Sequence, residues 1–208
     1  MNFDRNKNEL ILKGIVKSLP KKLFGDCDKY EFEMSVKRFS GNEDVVKIIY
    51  DNSSVLSGNA EQLIKVGNFV SVSGKIMSYH TYEAQCEKRH LNMRAYASII
   101  SSDKSEDNVN EVKFNGFIKS KPNRRITPKG RTICDFIVRI GKGENTNFIV
   151  CMAWGKTADM LAKCEIGDPI SIDGRFQSRM YNKVIDEETI EIKTAYEVSV
   201  NTCSVLAA

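Results

Sequence analysis

Short runs in which every second residue is apolar recur along this chain, separated by Gly, Pro, Asn and Asp. A period of two predicts β-strands with one face toward a core. In the C-terminal half the runs lie near Val112 to Ser120, Thr132 to Ile140, Asn147 to Trp154, Pro169 to Ser178 and Thr189 to Val200. One helix-like stretch, "KTADMLAKC", falls between the third and fourth runs. Thr157 is placed to cap it, its hydroxyl accepting a backbone N–H.

The N-terminal half repeats this pattern. "ELILKGIVKSLPKK" (Glu9 to Lys22) matches "EVKFNGFIKSKPNR" (Glu111 to Arg124), pairing Gly14 with Gly116 and Pro20 with Pro122. "KVGNFVSVSGKIMSY" matches "EIGDPISIDGRFQSR", pairing Gly67 with Gly167, Gly74 with Gly174 and Ser78 with Ser178. "DVVKIIYD" aligns with "FIVCMAWG", which sets Asp44 against Phe148 and Tyr50 against Trp154, and Ala95-Tyr96 and Ala195-Tyr196 close the copies. "NAEQLIKVG" stands in the place of the helix. Five strands with a helix after the third is the order of an OB-fold, a small Greek-key barrel. The expected fold is therefore all-β, two tandem five-stranded OB barrels with short helices. The expected domains are residues 1–102 and 111–202, with a polar linker at 103–110 and a short tail at 203–208.

Alternation also sorts side chains between faces. On the third strand of the second copy, Ile149, Cys151 and Ala153 share one face and Phe148, Val150, Met152 and Trp154 the other. Both faces are apolar, so something must cover the second, and stacked bases would suit its two aromatics. On the fourth strand Ile170, Ile172 and Phe176 oppose Arg175, Gln177, Arg179 and Tyr181, cations and an aromatic along one line. The turn "KSKPNRRITPKGR" adds Lys119, Lys121, Arg124, Arg125, Lys129 and Arg131 with no acid among them. Such a cluster can neutralise phosphates and release their counterions.

Composition excludes several classes. The chain is 41% hydrophobic and 28% charged, with a net charge of +4, an ordinary globular balance. It has no apolar run long enough for a bilayer and no leader at its N-terminus, so a cytoplasmic protein is expected. The six Cys are scattered, and Cys134, Cys151 and Cys164 sit among apolar residues as small core side chains. Gly155-Lys156-Thr157 resembles the end of a phosphate-binding loop, but Val150 stands where that loop needs glycine. His80, Cys86 and His90 follow no zinc spacing, and neither histidine lies in a nucleophile motif. No catalytic residue, cofactor or metal is expected. Charge is uneven: Glu111 to Ile185 holds fourteen Lys and Arg against seven Asp and Glu, whereas residues 1–107 hold sixteen against fifteen.

At these residues the sequence resembles the bacterial single-stranded DNA-binding protein family, in particular its tandem-OB members of clostridial type. "NGFIKSKPNRRITPKGRTICDFIV", "FIVCMAWGKTADML", "GDPISIDGRFQSRMY" and "TAYEVSV" carry the resemblance, while the first copy matches mainly at "LKGIVKSLP" and "VGNFVSVSGKIMSY". The resemblance implies non-catalytic binding of single-stranded DNA with little sequence preference, in replication, repair or transfer. It implies a homodimer that gathers four OB domains, and contacts with replication or repair proteins. Its stacking positions fall on Phe148, Trp154 and Tyr181, and in the first copy on Asp44, Tyr50 and the region from Tyr79 to Tyr82. Asp44 departs from that pattern. So does the final "VNTCSVLAA", which lacks the acidic, Phe-tipped end through which the family recruits partners.

The expected nucleic-acid contacts are thus Phe148, Trp154, Tyr181, Arg124, Arg125, Lys129, Arg131, Arg139, Arg175 and Arg179, with Tyr50, Lys75, Tyr79 and Tyr82 in the first copy. Two other readings fit the same sequence: a protein-interaction module of a replication or conjugation complex, and an RNA-binding protein.

Overall fold

The computed structural model describes residues 3–23, 28–55, 60–83, 88–184 and 189–205. The alternating runs fold as strands. The first barrel comprises β1 (Asn8–Val16), β2 (Lys21–Lys22), β3 (Lys29–Lys37), β4 (Glu43–Asp51), the short α1 (Ala60–Leu63), β5 (Phe69–Glu83) and β6 (Lys88–Ser102). The second comprises β7 (Val109–Ile118), β8 (Asn123–Ile126), β9 (Thr132–Ile140), β10 (Asn147–Trp154), α2 (Gly155–Leu161), β11 (Pro169–Val184) and β12 (Ile190–Val205). Their order in the continuous sheet is β2-β3-β4-β6-β5-β1-β7-β11-β12-β10-β9-β8, a palindrome of equivalent strands. Pairing of β1 with β3 and of β7 with β9 closes each half into a barrel.

The barrels join edge to edge through β1 and β7, which run antiparallel with Leu10 opposite Val112. These two residues are equivalent in the repeat, so the chain folds about a local two-fold axis. The joint also removes one exposed edge from each barrel. The core holds Leu10, Leu12, Phe32 and Ile76 on one side and Val112, Phe114, Ile172 and Phe176 on the other. The matched Gly74 and Gly174 have a steric reason. A Cβ there would lie 2.0 Å from the Tyr96 carbonyl oxygen and 2.5 Å from that of Ser199, at a bulge in each long hairpin.

Several sequence expectations need correction. Each barrel has a sixth strand, because β8 forms inside the basic "turn" and pairs with β9, as β2 does with β3. Val109 and Asn110 belong to β7 rather than to a linker, and residues 203–205 belong to β12 rather than to a tail. Thr157 does not cap α2. The helix starts at Gly155, whose φ of +54° suits glycine, Trp154 precedes it as the cap, and no side chain caps the end.

The most consequential correction is one of register. Parallel pairing sets Ile48 beside Ala95 and Cys151 beside Val198, and the bulges set Gly74 beside Ala97 and Gly174 beside Val200. Ile48 therefore corresponds to Cys151, Tyr50 to Ala153 and Asp51 to Trp154. Likewise Val45, not Asp44, corresponds to Phe148, and Asp44 to Asn147. The closing Tyr96 corresponds to Ser199, not to Tyr196. A slip of one residue carries a side chain to the opposite face. Tyr50 is accordingly 2% exposed, stacked on Tyr30 at 5.5 Å and edge-on to Phe32 at 5.8 Å. Burial pushes its phenol up to about 12. It presents no ring to a ligand, and the expectation of a stacking contact at Tyr50 fails.

Among the described residues no helix is long and apolar enough to cross a membrane, and no cluster of His, Cys, Asp or Glu could hold a metal. Cys86 lies outside those residues.

Candidate nucleic-acid interface

β10 shows what its two apolar faces are for. Ile149, Cys151 and Ala153 fill the core of the second barrel. Of the outward residues, Phe148 and Val150 are half-buried, Met152 is buried, and Trp154 is 39% exposed. The cover comes from the first barrel, whose β5–β6 hairpin lies along the Phe148 end. There the Phe148 N–H donates to Ser78 Oγ at 2.9 Å, the Ser78 N–H to Asn147 Oδ1 at 2.8 Å, and the Val150 N–H to Met93 Sδ at 3.2 Å. The seam thus encloses one end of the strand and leaves the Trp154 end open. The two-fold counterpart repeats the scheme, with the Val45 N–H donating to Ser178 Oγ at 3.1 Å.

A groove of about 420 Å³ runs past the open end, lined by Trp154, Met152, Arg125, Arg175, Arg179 and, from the first barrel, Arg38. A second groove of about 440 Å³ continues between the two long hairpins, past Tyr181 and Lys193 to Tyr82 of the first barrel. The two share Arg179 and Glu197. Two acids, Asp44 and Glu197, lie buried beneath the cations. Buried Glu197 accepts from Gln177 Nε2 at 2.6 Å, with Arg179 Nε 3.8 Å away, and Arg38 binds the fully buried Asp44 through two nitrogens. Arg179 also lies 5.9 Å from the Tyr181 ring centre. Tyr196, in the same wall, is pushed up to about 12 by burial.

Of the side chains expected from sequence, Trp154, Arg125, Arg175, Arg179, Tyr181 and Tyr82 meet along this path. Tyr82 is 62% exposed. The basic hairpin is less free than its sequence suggests. Folding brings Asp159 to Arg124 and Asp135 to Arg125, each at 2.7 Å. Lys129 and Arg131 stand exposed at its tip, where Gly130 takes a φ of +74°. Arg139 lies at the far end of β9, 5.7 Å from the Phe117 ring, away from the groove. In the first barrel Tyr79 is half-buried under the Arg94 guanidinium at 4.0 Å. Lys75 lies 5.7 Å from the ring of Tyr96.

Sequence reasoning missed Arg38, Lys193, Tyr196 and Glu197 because they reach the groove only through packing of barrel on barrel and hairpin on hairpin. It also missed Tyr96, the outward aromatic of the first barrel, whose hydroxyl donates to Asp51 at 2.8 Å. The bulge glycines alone do not give the register: Gly74 and Gly174 lie 100 positions apart, whereas the strand pairings match Asp51 to Trp154 and Tyr96 to Ser199, 103 apart.

The fold and the groove define a tandem OB-fold protein with a cationic, aromatic-lined channel at the barrel seam. Residues 109–206, the second barrel, match the profile of the single-strand binding protein family. The chain is 28% identical over 110 residues to "Single-stranded DNA-binding protein 1" of Chlorobaculum tepidum, across 48% of this chain and 66% of that protein. The chain resembles the crystal structure of the wild-type single-stranded DNA binding protein from Thermus aquaticus, with a TM-score of 0.72 and 16% identity over 99% of this chain and 95% of that one. A deletion mutant of the Thermus aquaticus protein gives a TM-score of 0.70 at 18% identity, over 97% and 95% of the two chains. At these identities the structural likeness is one of fold.

Proposed function

We propose that this protein binds single-stranded DNA, without catalysis and with little sequence preference, in DNA replication, repair or conjugative transfer. One observation carries the reading. On the barrel whose sequence matches the single-strand binding protein family, the outward Trp154 shares an open groove with Arg125, Arg175 and Arg179. An indole offers a stacking surface to any base, since every base has a π-face, and guanidiniums track the backbone between stacked bases. Duplex DNA hides its base faces, so this arrangement favours a single strand.

The test is a titration of the full chain with oligo-dT while the fluorescence of Trp154, the only tryptophan, is followed. Quenching, with binding that weakens as salt rises, is expected, and duplex DNA of equal length should bind more weakly. Absence of quenching at saturating oligo-dT would remove the stacking role. Competition by a matched RNA oligomer then measures how far the sugar matters.

The reading extends to a homodimer. Met180, Val184, Ile190 and Ile192 share one face of the β11–β12 hairpin and are 61–76% exposed, an apolar stripe that association would bury. Light scattering at micromolar concentration should show twice the chain mass, and a clean monomer would remove this part of the proposal.

A further inference from the structure

The two halves of the seam are not equivalent. Where the second barrel has Asn147, the first has Asp44, and around Asp44 an ion cluster spans the barrels. Arg38 donates Nε to Asp44 Oδ2 at 2.7 Å and Nη2 to Oδ1. From the other barrel, Arg175 Nε approaches the same carboxylate to 4.0 Å, yet it is buried with no hydrogen-bond partner. Arg175 Nη2 reaches Gln177 Oε1 at 2.9 Å, and Gln177 in turn holds Glu197. The cluster has three arginines, Arg38, Arg175 and Arg179, and two carboxylates, Asp44 and Glu197. The carboxylates are buried, whereas all three arginines line the groove beside Trp154.

A guanidinium has five N–H donors in a fixed fork. Asp44 takes two of those on Arg38, leaving three for an acceptor in the groove. Buried carboxylates that fix guanidiniums lower the entropy lost when a second anion binds, because the forks are already oriented. The excess positive charge of the cluster requires that this ligand be an anion. Its position beside the indole requires that the anion be joined to a flat ring.

We propose that Arg38 of the first barrel, with Arg175 and Arg179 of the second, forms a phosphate clamp for the nucleotide whose base lies on Trp154, and that Asp44 and Glu197 position the clamp. This rests on the single-stranded DNA reading and deepens it: the site on the second barrel is completed by a residue of the first.

The experiment uses the full chain, oligo-dT and Trp154 fluorescence over a range of salt concentrations. Arg175→Gln keeps the Arg38–Asp44 pair and removes one clamp charge. It should flatten the slope of log K against log salt by about 0.7, the value for one phosphate contact on a single strand. Asp44→Asn places at position 44 the residue that the other half of the seam already carries. Binding should weaken by about threefold to tenfold at low salt, because the Arg38 fork loses the carboxylate that orients it; tighter binding would overturn the positioning role of Asp44. Arg38→Met in the Asp44→Asn background should flatten the slope by about 0.7 relative to the wild type. Should that double variant fail to fold, the response of Asp44→Asn decides. Unchanged slope and affinity in these variants, with Trp154 still quenched, would overturn the clamp and leave the DNA reading standing. A wild-type chain that shows no quenching would instead remove the reading beneath it. Inorganic phosphate, titrated at constant ionic strength, should not displace oligo-dT. Displacement at low millimolar phosphate would make this a free-anion site and overturn the proposal.

Discussion

The two barrels share strand order and bulge glycines and meet at the β1–β7 joint, yet their outward faces have diverged at matched positions. Trp154 of the second faces solvent where the first has Asp51, tied to Tyr96 and Ser53. Arg175 and Arg179 line an open groove where the first barrel has Lys75 and Tyr79, each engaged in a cation–π contact. The excess of basic over acidic residues is seven in Glu111 to Ile185 and one in residues 1–107. The difference teaches that duplication fixed the scaffold while leaving one face free to become support. The first barrel keeps Tyr50 inside and lends a hairpin and an arginine to the second.

The sharpest way to break this comparison is at the two aromatics that the linear alignment equates. Tyr50→Ala should cost about 3–5 kcal/mol of stability, since it empties a packed core position. The affinity of the folded fraction for oligo-dT should not change. Trp154→Ala should do the reverse, weakening affinity by about 1–3 kcal/mol with an unshifted melting temperature. Denaturant melts and fluorescence-independent titrations on both variants read the two effects apart, and a binding defect in a folded Tyr50 variant would contradict the burial argument.

The basic hairpin gives a smaller effect that separates paired from unpaired cations. Replacing Lys129 and Arg131 with Ala should flatten the salt slope by about 0.7 for each phosphate that the side chains neutralise. Arg124→Ala and Arg125→Ala should flatten it less, because Asp159 and Asp135 already neutralise those side chains. Equal changes for all four would mean that DNA displaces the acids, and no change would mean that the hairpin is merely solvated. The smallest effect is expected on the first barrel's outer face. Tyr96→Ala should lower affinity by less than the 1 kcal/mol or so of a stacked base, because Asp51 and two lysines already occupy the ring. A loss as large as that of Trp154→Ala would restore the two barrels to equal standing.

Much of this was legible in sequence because it is local. Period-two alternation along Asn147 to Trp154 sorted Ile149, Cys151 and Ala153 from Trp154 correctly, since the pleat alone decides which side a residue takes. The basic stretch from Lys119 to Arg131 was visible too, although its arginines' acidic partners come from β9 and α2. Register was not legible from the apolar pattern. "FIVCMAWG" is apolar on both faces, so it accepts a one-residue shift of "DVVKIIYD", and that shift decides whether Tyr50 is matched to the groove or to the core.

The sequence by itself determined the fold class, the repeat and the positions of the outward side chains on the second barrel, because strand periodicity, turn residues and duplication are properties of neighbours along the chain. Only the tertiary structure decided which of those side chains share a groove. Trp154 meets Arg38, and Tyr181 meets Tyr82, because two barrels related by a local two-fold axis lay each hairpin across the other's third long strand. That arrangement depends on the geometry of a joint between residues about a hundred positions apart, which no pattern along one strand encodes.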